Sequence, residues 1–151
     1  MRDLKNEIYG EFVRDEMELM PGALDLLKEL RGKMKIACAS SSHTSNIIQV
    51  FNRFNLYEFF NVIKGGDMVE NIKPHPEMYK TIADESGLLY FNIVVIEDSV
   101  KGIIPGKKLG MKTIAVPSEF TKDQNFKGTD LVVNSLSELS YEIIKNLGYE
   151  N

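Results

Sequence analysis

At 151 residues the chain has the size of a single domain, and with 43% hydrophobic and 26% charged residues it has a folded protein's composition, not that of a disordered or collagen-like chain. Eighteen Lys and Arg against 22 Asp and Glu give a net charge of −4, which excludes the basic surface typical of nucleic-acid-binding proteins. The single cysteine, Cys38, cannot form an internal disulfide, so we expect a cytoplasmic protein. No apolar run is long enough to span a membrane. We therefore expect neither a nucleic-acid nor a membrane partner.

Short apolar runs alternate with helical patterns along the chain, which predicts an α/β fold: a parallel sheet with flanking helices. In chain order we predict helix 3–16, helix 23–30, strand 35–39, helix 47–54, strand 61–64, helix 76–86, strand 93–96, helix 102–109, strand 113–116, strand 131–133 and helix 139–147. The run Ile93–Ile96 is apolar on both faces, which predicts a central strand. Pro105 lies inside a predicted helix and is expected to kink or shorten it.

Residues able to carry chemistry follow three of these strands, at the edge where open α/β sheets bind their ligands. They are Ser40–Thr44 after the first strand, Lys73 after the second, and Glu97 with Asp98 after the third. Hydroxyls and the N–H groups of a helix start suit an anion, and Mg²⁺ prefers carboxylates, waters and phosphate oxygens. Each feature alone is also typical of turns and helix caps. Their joint placement indicates a phosphate held by serines and Lys73 beside a Mg²⁺ held by Glu97 and Asp98.

Three segments resemble motifs of the haloacid dehalogenase superfamily of phosphatases and phosphomutases. The strand ending at Ser40 (KIACAS), Lys73 ahead of a proline (NIKPHPEMY) and the strand ending in two acids (VVIEDSVKGI) are similar to its second, third and fourth motifs. The segments LMPGALDLLKELR, GGDMVENIKP, KLGMKTIAVP and DLVVNSLSEL are also similar to the family. The subgroup it most resembles contains β-phosphoglucomutase-like enzymes and sugar-phosphate phosphatases. The resemblance implies a Rossmann-like sheet and Mg²⁺-dependent phosphoryl transfer from a small phosphorylated metabolite.

The resemblance also implies a role for each residue. Ser40 and the backbone of Ser41 would hold the transferring phosphoryl group, and Lys73 would act in catalysis by neutralising that group and the nucleophile. Asp98, with Glu97, would hold Mg²⁺.

A further group of residues, Ser42, His43 and Thr44, lies where the mutases hold the second, non-reacting phosphate of the substrate. The mutases usually carry a lysine there, and this chain has His43. The difference favours hydrolysis of a sugar phosphate, and a β-phosphoglucomutase-type isomerase stays open as an alternative.

The family's first motif is missing from the sequence. That motif is an apolar strand ending in Asp-x-Asp, whose first Asp is the nucleophile, and no Asp-x-Asp occurs in these 151 residues. We expect residues 1–20 to be a remnant of the family's helical cap with its return linker, and residues 21–151 to be the α/β core without its nucleophile strand. One hypothesis is that the chain is a truncated phosphatase core, inactive alone. The other is a non-catalytic phosphate- or metal-binding module, or one half of a split enzyme.

The missing strand has a physical consequence. In the family it lies between the strands that end at Ala39 and Ile96, so without it two backbone edges inside the core would be unpaired. Three arrangements would pair them: the two strands close on each other, a partner chain supplies a strand, or two copies exchange elements as a homodimer. An exposed stripe of Leu4, Ile8 and Phe12 would also favour association.

Overall fold

Helices and strands follow one another in the order that the apolar patterns predict. The computed structural model describes residues 2–149, with side chains described for Glu7 and for residues 9–148. The helices and strands within these residues are α1 (Arg2–Asp15), α2 (Ala23–Leu30), β1 (Ala37–Ala39), α3 (Thr44–Phe54), β2 (Val62–Lys64), α4 (Glu77–Ser86), β3 (Val94–Glu97), α5 (Val100–Lys108), β4 (Lys112–Ala115), β5 (Leu131–Val132) and α6 (Tyr141–Tyr149). Among the described residues, no helix has the length and apolar character that a membrane span requires.

Local residue choices set where several helices begin and end. The His43 side chain accepts a hydrogen bond from the Ser45 amide and so caps the start of α3. Asn55 ends α3 and Gly87 ends α4, both in the left-handed region with φ of 54° and 66°. The expected shortening of α5 at Pro105 does not occur. The helix continues to Lys108, and the proline side chain is fully buried.

The strands form two parallel sheets. One sheet pairs β1 with β2, with Ala37 opposite Val62, and the other has the order β3-β4-β5. The prediction that Ile93–Ile96 is central is wrong, since β3 is an edge strand of the described sheet. The strand is apolar on both faces because α5 and α6 both pack against it. An apolar pattern of this kind shows that helices pack on both faces of a strand, and it does not show that the strand pairs on both edges.

The described strands β1 and β3 do not pair with each other, so the first of the three arrangements is excluded. Between them lies a groove of about 620 Å³, which we call the inter-sheet groove. The groove is lined by both strands, by Tyr79 and Ile82 of α4 and by Tyr141 and Ile144 of α6.

The core follows the division into two sheets. One cluster packs α2 and α6 against β4, another packs α3 against β1 and β2, and a third joins α4 to β3. Helix α1 packs against α3, with Val13 buried. Phe12 of the predicted stripe is 44% exposed, whereas the side chains of Leu4 and Ile8 lie outside the described residues. Association through that stripe therefore stays a prediction.

Candidate functional site

The carboxyl ends of β1 and β3 meet at an open pocket of about 420 Å³. Its lining includes the predicted residues Ser40, Ser41, Ser42, Lys73, Glu97 and Asp98. These residues come from different segments and meet because parallel strands place their carboxyl ends at the same edge. His43 and Thr44 are not part of this lining and lie beside the pocket at the start of α3.

Lys73 connects the two sheets at this edge. Its side chain is 90% covered, and its ammonium donates to the backbone carbonyl of Ala39 at 3.1 Å and forms an ion pair with Glu97. Ala39 ends β1 and Glu97 ends β3, so one buried cation holds both strand ends in place. Lys73 also lines the pocket, together with Ser40, Ser41 and Ser42, which we call the serine loop.

Glu97 is held inside the fold rather than extended into solvent. Its Oε1 accepts a hydrogen bond from the Tyr79 hydroxyl at 2.8 Å and contacts Lys73. Gly102 leaves room for this carboxylate, because a Cβ added at Gly102 would lie 2.2 Å from Glu97 Cδ. The role of Glu97 as a Mg²⁺ ligand stays a prediction. In the structure, Oε1 of Glu97 forms an ion pair with Lys73.

Tyr79 is a site residue that the sequence pattern missed. Its spacing marks it as an apolar residue of α4, yet its hydroxyl reaches Glu97 and lies 2.9 Å from the carbonyl of Gly102. Burial raises the pKa of the Tyr79 hydroxyl well above its ordinary value, and the Glu97 carboxylate raises it further. The hydroxyl therefore stays protonated and acts as a donor that orients Glu97.

Asp98 is the carboxylate best placed for a metal ion. Its side chain is exposed and lines the pocket beside the serine loop. No group of three or more His, Cys, Asp or Glu side chains that could hold a metal occurs in the described part of the chain. Mg²⁺ nevertheless needs only one or two carboxylates when waters and substrate phosphate oxygens complete its octahedron. Asp98, with Glu97 next to it, fits that mode of binding.

The serine loop is shaped by short-range hydrogen bonds and by a close approach of the loop that follows β2. Ser40 Oγ accepts from the Ser42 amide at 3.1 Å, and the Gly66 amide donates to the Ser42 carbonyl at 2.8 Å. A Cβ added at Gly66 would lie 2.3 Å from the carbonyl oxygen of Ser41, so only glycine allows the two loops to meet. The loop therefore has a defined shape, with Ser40 and Ser41 on the pocket wall.

Asp67 is a second residue that the sequence pattern missed, although Gly65-Gly66 before it marks a tight turn. Its Oδ1 accepts from the Thr44 amide at 2.6 Å and from the Thr44 hydroxyl at 2.7 Å, and its Oδ2 lies 3.5 Å from His43 Nε2. In this structure His43 and Thr44 face Asp67. Their contact with substrate stays a prediction.

The Asp67 contacts predict a stability effect that depends on pH. The Thr44 hydroxyl hydrogen bond holds the pKa of Asp67 below its ordinary value. A carboxylate with a lowered pKa stabilises the folded state above its ordinary pKa, and that contribution is lost as the pH falls through the folded-state pKa. We expect Asp67→Asn to be less stable than the wild-type chain at pH 7, with the difference shrinking as the pH falls below the ordinary pKa of an aspartate, about 3.9. Urea denaturation from pH 2.5 to 7 measures it.

The matched control for this series is Asp123→Asn, which changes an exposed aspartate in a loop. The control should leave the free energy of unfolding unchanged throughout the series. An Asp67→Asn difference that stays constant down to pH 2.5 would contradict the charge-dependent explanation.

Comparison with known proteins identifies the family. The profile of the haloacid dehalogenase-like hydrolases matches residues 1–116. The chain belongs to this family. Hexitol phosphatase B of Escherichia coli is 33% identical over 85% of this chain and 59% of its own length. Protein CbbY of Cereibacter sphaeroides is 31% identical over 82% of this chain and 56% of its own length.

A crystal structure of β-phosphoglucomutase from Clostridium difficile superimposes with a TM-score of 0.81 at 28% identity, covering 97% of this chain and 64% of that one. The family that three motifs predicted is thus confirmed, and so is the fold class. The chain spans about half to two thirds of the length of the curated relatives it matches.

Proposed function

We propose that this chain is the α/β core of a Mg²⁺-dependent phosphatase that hydrolyses a small sugar-phosphate-type phosphomonoester. The observation that carries the proposal is one open pocket that combines the serine loop, the buried ammonium of Lys73 and the exposed carboxylate of Asp98. Phosphoryl transfer is catalysed mainly by positioning and by neutralising negative charge, and these groups supply both. Two relatives, a hexitol phosphatase and a phosphorylated carbohydrates phosphatase, support the substrate class.

Each group has a distinct part in binding. The Ser40 hydroxyl and the amides of the serine loop donate to phosphate oxygens. The Lys73 ammonium donates to phosphate through the N–H that is not bonded to Ala39 or Glu97. The Lys73 ammonium is held rigidly by those two partners, so it loses little freedom when phosphate binds. Bound Mg²⁺ would neutralise charge on the phosphate, and Asp98 with Glu97 are the residues that would hold it.

The nucleophile is the group that this chain does not supply. In the family it is an aspartate of the Asp-x-Asp motif, and a covalent mechanism cannot proceed without it. Ser40 and Lys73 bind charge but do not replace a carboxylate at the position of attack. We therefore propose that the 151-residue chain binds phosphate without turning over phosphate esters.

Two measurements test the proposal. Orthophosphate binding in the presence of Mg²⁺, followed by amide chemical shifts, should perturb the serine loop, and Ser40→Ala should weaken it about fivefold, the value of one hydrogen bond. Ser86→Ala is the control because this residue ends α4, the helix end opposite the one beside Lys73. Hydrolysis of a sugar-phosphate panel should stay at the background rate.

The two measurements have separate ways to fail. Absence of phosphate binding would contradict the proposed site. Mg²⁺-dependent hydrolysis that Asp98→Asn abolishes would contradict the proposed inactivity and show that the nucleophile lies within these residues.

A further inference from the structure

The segment that carries Lys73 has few backbone hydrogen bonds of its own. It comprises residues 70–77, between β2 and the first turn of α4. Its two prolines have no N–H to donate. Among the described residues, only one backbone hydrogen bond joins two members of the segment, from the His75 amide to the Ile72 carbonyl at 3.0 Å. Side chains must therefore hold the chain in place beside Lys73.

Glu77, the first residue of α4, holds this segment with its carboxylate. Its Oε1 accepts a hydrogen bond from the Glu70 amide at 2.7 Å. Its Oε2 accepts from the backbone amide and from the side-chain amide of Asn71, each at 2.9 Å. These three hydrogen bonds close residues 70–77 into a ring with Lys73 near its middle, and we call this ring the Lys73 loop.

The charge of Glu77 strengthens these contacts. The Asn71 side-chain amide, together with the Glu70 backbone amide, holds the pKa of Glu77 below its ordinary value. The carboxylate is therefore ionised at neutral pH, and hydrogen bonds to an ionised acceptor are roughly twice as strong as those between neutral groups. The Glu77 backbone amide also donates to His75 Nδ1 at 3.2 Å, which ties a further residue of the loop to the same position.

The positions of the donors distinguish this arrangement from an ordinary helix cap. An acidic residue in the first turn of a helix usually stabilises the free amides of that helix. The carboxylate of Glu77 instead accepts from Asn71 and Glu70, which lie six and seven positions earlier in the chain. These contacts therefore act on the Lys73 loop rather than on α4.

The Lys73 loop also lies close to the serine loop, with Gly66 between them. A Cβ added at Gly66 would lie 3.2 Å from Cγ2 of Ile72 and 2.3 Å from the carbonyl oxygen of Ser41. The residue next to Lys73 thus packs against the turn that shapes the wall of the phosphate pocket. A change in the path of the Lys73 loop would move the ammonium relative to that wall.

The first turn of α4 acts on both members of the buried ion pair. Glu77 holds the backbone that carries Lys73. Tyr79, two residues further along, orients Glu97 through its 2.8 Å hydrogen bond. Met78 between them is fully buried, so the turn is anchored in the core. The ammonium and its counter-charge are therefore both placed by one rigid element.

We propose that Glu77 is a positioning residue of the phosphate pocket. It keeps the Lys73 loop closed, and the closed loop places the Lys73 ammonium where its remaining N–H meets a phosphate oxygen. Glu77 itself is not among the residues that line the pocket, so it acts through Lys73 alone. A displacement of about 1 Å is enough to weaken a contact of this kind strongly. The inference rests on the proposed phosphate pocket.

The first signal that tests it is the ¹H–¹⁵N resonance of the Lys73 ammonium in the full 151-residue chain. A buried, hydrogen-bonded ammonium exchanges its protons with water slowly enough to be observed at low temperature, and Lys73→Met identifies the resonance. Because Glu77→Ala opens the loop, we expect this resonance to be lost through faster exchange with water.

The second signal is the affinity for orthophosphate in the presence of Mg²⁺, followed by the amide shifts of the serine loop. Glu77→Ala should weaken binding about tenfold, the value of one hydrogen bond to a charged group. Glu77→Gln keeps the length of the side chain and one acceptor oxygen, so its loss should be smaller. Asn71→Ala removes only the side-chain donor and should lose less than Glu77→Gln.

The matched control is Asp84→Asn, which changes an exposed acidic residue of the same helix. Both signals should stay as in the wild type. Urea denaturation of every variant separates positioning from stability, because a purely structural role would lower the free energy of unfolding and leave both signals of the folded chain unchanged. Should Glu77→Ala fail to fold, Glu77→Gln and Asn71→Ala carry the same comparison.

The outcomes separate this inference from the proposed function. Wild-type phosphate affinity in Glu77→Ala, or an unchanged Lys73 resonance in that variant, would overturn the role of Glu77. Absence of phosphate binding by the wild-type chain would contradict the proposed pocket instead. The Lys73 resonance needs no ligand, so in that case it still decides whether Glu77 positions the ammonium.

Discussion

Replacing Glu97 by Gln is expected to lower the free energy of unfolding by about 3 kcal/mol, because it leaves the Lys73 ammonium buried without its counter-charge. Lys73 is only 8% exposed, and its other hydrogen-bond partner is one neutral carbonyl, that of Ala39. The amide keeps the shape of the side chain and can still accept from Tyr79, so the loss reports charge rather than packing. Equilibrium denaturation at pH 7 measures it.

A double-mutant cycle separates the ion pair from the individual side chains. Lys73→Met alone should also destabilise the chain, since it buries the Glu97 carboxylate with only Tyr79 as donor. The double variant Lys73→Met/Glu97→Gln should lose about 2 kcal/mol less than the two single losses combined. Strict additivity would show that the two charges do not interact.

The control is the exposed pair Lys122 and Glu119, whose side chains are 55% and 79% exposed. Lys122→Met should change stability by less than about 0.5 kcal/mol, as is usual for surface ion pairs. A control loss as large as that of Lys73→Met would mean that the cycle measures lysine packing in general.

Most of the fold could be predicted because apolar periodicity reports local burial. The stripe that contains Ile47 and Phe51 predicts α3, and both side chains are buried. The convergence of Ser40, Lys73 and Asp98 followed from one geometric rule, that parallel strands end at the same edge. These features depend on spacing along the chain and on strand direction, both of which the residues themselves encode.

Pairing partners could not be predicted in the same way. Because α5 and α6 pack on its two faces, the strand at Ile93–Ile96 is apolar whether or not it has a strand on each edge. The prediction that this strand is central in the sheet was therefore wrong. Tyr79 and Asp67 were missed for a related reason. A tyrosine on an apolar helix face and an aspartate after two glycines acquire their roles only from side chains 18 and 23 positions away.

The division into two sheets also determines where the fold is most sensitive to substitution. Strand β4 has a partner on each side, β3 and β5, and Ile114 at its centre is fully buried between α2 and α6. The smaller sheet, in contrast, is joined to the larger one by helices and by Lys73. We therefore expect the larger sheet to carry most of the stability of the chain.

Ile114→Ala is accordingly expected to lower the free energy of unfolding by about 3 to 4 kcal/mol through lost burial and a residual cavity. Ile114→Val should lose only about 1 kcal/mol, because it removes one methylene from the same site. The matched control is Ile48→Ala on α3, where the side chain is 44% exposed and the loss should stay below about 1 kcal/mol. Urea denaturation of the three variants gives their free energies of unfolding, and the slope of that free energy against urea concentration is compared with that of the wild type.

Similar losses at Ile114 and Ile48 would mean that β4 is not the centre of the core. A large loss at Ile114 with an unchanged slope would locate the stability of this chain in the three-stranded sheet, the part that is already paired on both sides of β4.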